Sequence, residues 1–177
     1  VKSGKVKIFA PAGFMEHAIS ENLFAGTAMF RRGMFQAGTL VPRGEQGQVD
    51  AGLGKGTPQG GTITLIAPSV LIAREFETHV VDGVPIEFQL TPDTEAPSEM
   101  NLYLPRQRAL CMSENATRVM HNPLTPRGAL VRDAKGWSRY LDDSLVRYGE
   151  QQGFTVRSHA PNRPEEAPRW PRRRRRR

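Results

Sequence analysis

The chain has 177 residues, 38% of them apolar, which is enough for one ordinary globular domain or part of a larger one. No apolar run approaches the roughly 18–20 residues that span a bilayer, and nothing near Val1 has the order of a signal peptide. The single Cys111 excludes an internal disulfide framework and leaves the redox compartment open. The formal charge of +7 resembles a nucleic-acid signal until Arg172 to Arg177 are set aside, which leaves +7 − 6 = +1. The body of the chain is nearly neutral.

In chain order, Lys5 to Ala10 alternates as a short strand does and closes at Pro11-Ala12-Gly13. Phe14, Ala18, Ile19, Leu23, Phe24, Ala28, Phe30 and Met34 then recur near the helical period. They predict one long helix to about Gln36, with Gly26 and Gly33 as weak points. Gly38 to Gly61 contains eight of the seventeen glycines and few large apolar residues, so it reads as a long loop.

From Thr62 the texture becomes β. Strands are expected at Thr62–Ile66, Arg74–Val80, Pro85–Leu90 after a turn at Asp82-Gly83, Met100–Leu104 and Ala109–Met112. Asn122 to Pro126 reads as a loop. Ala134 to Tyr148 places Trp137, Tyr140, Leu141, Leu145 and Val146 as an amphipathic helix would. Successive short strands flanked by helices imply a layered α/β domain in which helices cover a mixed sheet. Prolines and charges from Pro161 onward predict a disordered Arg/Pro-rich tail over 160–177.

The motifs are uneven in value. Gly52-Leu53-Gly54-Lys55-Gly56-Thr57 lacks the spacing of a phosphate loop and sits between turn-like residues, so a plain glycine-rich loop is the better reading. No aromatic residues interleave with the terminal arginines, and no nucleic-acid partner is expected; a non-catalytic nucleic-acid-binding protein remains the alternative from another class. His17, His79, His121 and His159 form no HxH or HxxxH pair, so spacing alone proposes no metal. Glu95 and Glu114 stand at or near strand ends, where α/β sheets tend to hold their sites. Asn122 and Arg127, joined by a proline-flanked loop, pair an amide with a planar guanidinium that suits a tetrahedral oxyanion.

Four blocks, Ala10-Pro11-Ala12-Gly13-Phe14-Met15-Glu16-His17-Ala18, Gly47-Gln48-Val49-Asp50-Ala51-Gly52-Leu53-Gly54-Lys55, Thr94-Glu95-Ala96-Pro97-Ser98-Glu99-Met100-Asn101 and Ala109-Leu110-Cys111-Met112-Ser113-Glu114-Asn115-Ala116-Thr117, resemble the alkylsulfatases of the metallo-β-lactamase superfamily. The likeness continues through His121-Asn122 and Arg127-Gly128-Ala129 and covers Lys5 to about Glu150. It implies part of an αββα sandwich, a partial catalytic domain over 1–159, and hydrolysis of alkyl sulfate esters to alcohol and sulfate. It also implies two zinc ions, with Glu95, Glu114 and His159 among the metal ligands and Asn122 and Arg127 on the sulfate. The family's HxHxDH motif is absent, so a fragment that is inactive as given is expected, with a homodimer only for the complete enzyme. A phosphodiesterase or lactonase of the same fold is the alternative within the superfamily. Arg118 stands where the family usually has His, which adds a positive charge near the proposed site. Uncovered apolar surface predicts self-association of the isolated chain.

Overall fold

The structure is a computed structural model that describes residues 6–50, 62, 64–116 and 122–150, together with the strand at 154–156. The glycine-rich motif at 52–57, Arg118, His121, His159 and the 160–177 tail lie outside the described residues.

Strand β1 (Phe9–Pro11) runs parallel to β2 (Val70–Ile72), with Phe9 opposite Val70. A five-stranded sheet follows in the order β3 (Phe76–Val81), β4 (Val84–Leu90), β5 (Met100–Leu104), β6 (Ala109–Cys111) and β7 (Phe154–Val156). The first four form an antiparallel meander, and β7 joins β6 in parallel. The meander matches the expected strands to within two residues at each end, because each strand pairs with its sequence neighbour, through short turns at 82–83 and 105–108 and the longer loop 91–99.

The two faces of this sheet are covered by different elements. On one face, Tyr103 and Leu110 are directly paired and pack with Met112, Ala116 and Tyr148 into the main apolar cluster. Tyr148 comes from α3 (Ala134–Tyr148), and its ring lies 4.6 Å from that of Tyr103. On the other face, Phe88 stacks on Phe9 at 5.6 Å, and His79 meets both rings edge-on. The period-2 alternation of β4 sends Phe88 one way and Gln89 the other, so one strand serves both layers. Burying aromatic rings of this size contributes about 1.5–3 kcal/mol each.

Two expectations are corrected. The long helix is broken: α1 (Phe14–Ile19) passes into a π-helical turn at Ser20–Phe24, and α2 (Gly26–Gln36) restarts after Ala25. Gly26 marks the restart, whereas Gly33 lies inside an unbroken stretch. Residues 62 and 64–66 form no strand, and Leu65 and Ile66 stay about half exposed (47% and 51%). β-Branched sequence needs a partner edge, and β1 takes Val70–Ile72 instead, with Ser69 and Val70 N–H groups both donating to the Ile8 carbonyl. The described part of the glycine-rich loop, 38–50, holds no helix or strand beyond an isolated bridge between Arg43 and Gln48.

Candidate functional site

β4 and β6 both run antiparallel to β5, so their carboxyl ends lie at the same end of the sheet as the start of β5. The loop 91–99 leaves β4 and re-enters at β5, and the turn 112–116 leaves β6. Glu95, Glu99 and Glu114 are therefore gathered at one end by topology.

The loop 91–99 is held by its own backbone. Thr91 N–H donates to the Glu99 carbonyl and Asp93 N–H to that of Pro97, while the Thr94 hydroxyl donates to the Thr91 carbonyl at 2.6 Å. Ser98 is tied to α1 through His17, whose Nδ1 lies 2.6 Å from Ser98 Oγ. Gly13 makes that approach possible. It has φ of +83°, and a Cβ there would crowd the His17 ring and the Ser98 hydroxyl.

A buried polar network holds the turn that carries Glu114. Asn115 Nδ2 donates to Thr91 Oγ1 at 2.9 Å and to Asn101 Oδ1 at 3.0 Å. Asn101 donates in turn to Gln89 Oε1, and Ser144 of α3 donates to the same oxygen at 2.6 Å. The Trp137 indole N–H donates to the Asn115 carbonyl at 3.0 Å, so α3 is bolted to the residue after Glu114. A buried network of this kind fixes one arrangement, and within it Asn115 Oδ1 alone is buried with no hydrogen-bond partner among the described residues.

Glu95 and Asn122 meet: Asn122 Nδ2 donates to Glu95 Oε1 at 2.6 Å. Asn122 adopts a left-handed backbone, φ of 56°, as Asn tolerates better than most residues. Arg127 lies on the turn that follows, closed by Gly128 N–H donating to the Thr125 carbonyl, and its own carbonyl accepts from Arg32 of α2 at 3.3 Å. Gly128 has φ of +97°, and a Cβ there would collide with the Arg32 guanidinium.

Two residues here were not singled out from the sequence. Burial pushes the Glu99 carboxyl up to about 7; Met100 N–H, donating to Glu99 Oε1 at 2.9 Å, opposes this, while Glu95 and Glu114 add to it. Arg132 is buried at 6% exposure and binds the Glu95 carbonyl through Nε at 3.0 Å. Glu99 stood within a quoted block, but nothing in the spacing distinguishes it; a buried Arg leaves no mark in a sequence at all.

The described residues do not by themselves fit a metal ion. Among them no group of three His, Cys, Asp or Glu side chains is placed to hold one. Glu95 and Glu114 offer oxygen donors only, and a structural or catalytic zinc takes three or four protein ligands.

No family model matches the chain. It is 58% identical over 159 residues to an (R)-specific secondary-alkylsulfatase of Pseudomonas sp, a match that covers 90% of this chain and 24% of that protein. The solved structure of a stereoselective inverting sec-alkylsulfatase from Pseudomonas sp. is 58% identical and superimposes with a TM-score of 0.83, over 89% of this chain and 25% of that one. An archaeal metallo-β-lactamase superfamily protein from Sulfolobus tokodaii, 16% identical, shares the fold with a TM-score of 0.51 over 90% of this chain and 54% of its own. The chain thus spans about a quarter of the length of the alkylsulfatases it matches.

Proposed function

We propose that this chain, by sequence and fold a part of an alkylsulfatase within the metallo-β-lactamase superfamily, supplies the carboxylate end and the sulfate-gripping loop of an alkyl sulfate ester hydrolase. The observation that carries the reading is the meeting of Glu95 and Asn122 at 2.6 Å, on two loops that the sheet delivers to one end. The superfamily fold implies metal binding. In this reading the metal is a pair of zinc ions, with Glu95 and Glu114 as ligands among the described residues and His159 outside them. The domain would run over 1–159, with 160–177 as a tail, and any homodimer belongs to the complete enzyme.

Two carboxylates do not complete a two-metal site, so the part assigned to this chain by itself is binding and orientation. The second amide proton of Asn122 and the planar fork of Arg127 suit the oxygens of a sulfate group, where they would offset its charge. The alkyl chain would be received by apolar surface.

The test is a titration of the full chain with hexyl sulfate, kept below its micelle concentration, with hexanol as control. Asn122→Ala and Arg127→Ala should each weaken hexyl sulfate binding by at least fivefold and leave hexanol unchanged. Equal binding by wild type and both variants would sink the assignment. Sulfate release by the chain alone is expected to be at background.

A further inference from the structure

The bonds of Arg132 reach both loops of the site and a helical turn beyond them. Its Nε donates to the Glu95 carbonyl at 3.0 Å, Nη1 to the Leu130 carbonyl at 3.1 Å, and Nη2 lies 3.5 Å from Glu21 Oε1 in the π-helical turn. Its backbone N–H donates to the Pro123 carbonyl at 2.9 Å, beside Asn122, and the next N–H, of Asp133, donates to the Asp93 carbonyl at 2.8 Å. Residues 132 and 133 therefore clamp the loop 91–99 and the loop after Asn122 to one another from behind.

The chemistry requires a guanidinium. Its donors diverge in a fixed plane toward two carbonyls and a carboxylate, whereas an ammonium is a point charge that cannot reach all three in this geometry. A buried cation is tolerated only when paired and hydrogen-bonded, and here Glu21 and the two carbonyls provide both. The side chain binds the backbone of Glu95, and Asn122 donates to the Glu95 carboxylate.

We propose that Arg132 is a positioning residue of this site, fixing the Glu95 backbone against the Asn122 loop and thereby setting the hydrogen bond between Asn122 Nδ2 and Glu95 Oε1. The importance of that bond to sulfate ester chemistry rests on the function proposed above; the bond itself can be read without it. Residues that orient ligands and binding groups in this way control a site while touching no substrate.

The experiment is an amide NMR spectrum of the full, isotope-labelled chain. The Asn122 side-chain amide is assigned by its loss in Asn122→Ala, and the position it takes without an acceptor at residue 95 is given by Glu95→Ala. In Arg132→Lys the Trp137 indole signal, which reports the α3 packing, should stay in place while the Asn122 amide moves toward the Glu95→Ala position. A merely structural role would move both together or neither, and either result in a folded Arg132→Lys chain overturns the proposal. Where Arg132→Lys does not fold, Glu21→Gln decides: loosening one of the three anchors should shift the Asn122 amide part of the way, and an unchanged signal overturns it. Failure of the functional reading is separate, since it appears as the absence of any hexyl sulfate-induced change at Asn122 in the wild type.

Discussion

Replacing Glu99 by Gln should make the stability of this chain less dependent on pH, in a direction fixed by the surroundings of the carboxyl. Burial, with help from Glu95 and Glu114, raises Glu99 from an ordinary value of 4.5 to about 7. Below pH 4.5 the group is protonated both folded and unfolded, and it costs nothing. As pH rises from 4.5, the unfolded chain releases the proton and the folded chain keeps it, so stability falls until the folded carboxyl also ionises near 7, and is level above that. Each pH unit in that window is worth about 1.4 kcal/mol, so the whole is roughly 3 kcal/mol, reduced to about 2 by partial access to solvent. Gln keeps an acceptor for the Met100 N–H and carries no charge. Urea unfolding at pH 4, 5.5, 7 and 8, with chelator present, should give Glu99→Gln and wild type nearly equal at pH 4. The variant should be more stable by about 2 kcal/mol at pH 8, or about 4–8 °C in Tm. Adding Glu114→Gln should shrink the difference by removing one of the neighbouring charges. A difference that is constant across the four pH values would refute the reasoning, because only a titrating group can produce the slope.

Other expectations concern the supports of the site. Asp133→Ala removes the acceptor for Gly136 N–H at the start of α3 and should cost about 0.5–2 kcal/mol, read from thermal melts. Trp137→Phe leaves the Asn115 carbonyl without its indole donor in a buried site and should cost about 1–3 kcal/mol, with loss of amide protection at Asn115 in hydrogen exchange. Leu110→Ala opens the main apolar cluster and should cost about 2–5 kcal/mol in urea unfolding. Gly128→Ala should destabilise and shift the Arg32 signals, since the backbone there is left-handed and the guanidinium occupies the space a methyl would need.

The parts of this fold that could be read from the sequence are those whose partners are near in the chain. β3 to β6 pair with sequence neighbours, and their alternation and turns are local facts; α3 is bounded by Asp133 and Gly149 and shows its apolar stripe along its own length. β2 and β7 are three residues each and exist only through distant partners, Val70 with Phe9 and Thr155 with Leu110. Their sequences are no more β-like than that of Thr62–Ile66, whose described residues 62 and 64–66 form no strand. The break between α1 and α2 was half visible, since Gly26 and Gly33 have the same weak helix propensity and only the first falls where the chain turns.

The site divides in the same way, and the division explains why Arg127 drew attention and Arg132 did not. Glu95 and Glu114 near strand ends, and Asn122 and Arg127 as an amide and a guanidinium on one loop, display their chemistry in the sequence and in the blocks that resemble the alkylsulfatases; that Asn122 Nδ2 lies 2.6 Å from Glu95 Oε1 is a fact of the fold. Arg127 and Arg132 differ little in sequence surroundings, each following a loop residue and carrying the same charge. Their difference is environmental: Arg132 is buried among two carbonyls and a carboxylate, while the known attachment of the Arg127 residue to α2 is through its own carbonyl. Burial of a cation depends on elements more than a hundred residues apart, Glu21 and Arg132, closing on one another. No local pattern encodes such a closure, so the group that aligns a site is less legible than the groups it aligns. A carboxylate or an amide displays its chemistry wherever it stands; a clamp acquires its role only after the chain has folded around it.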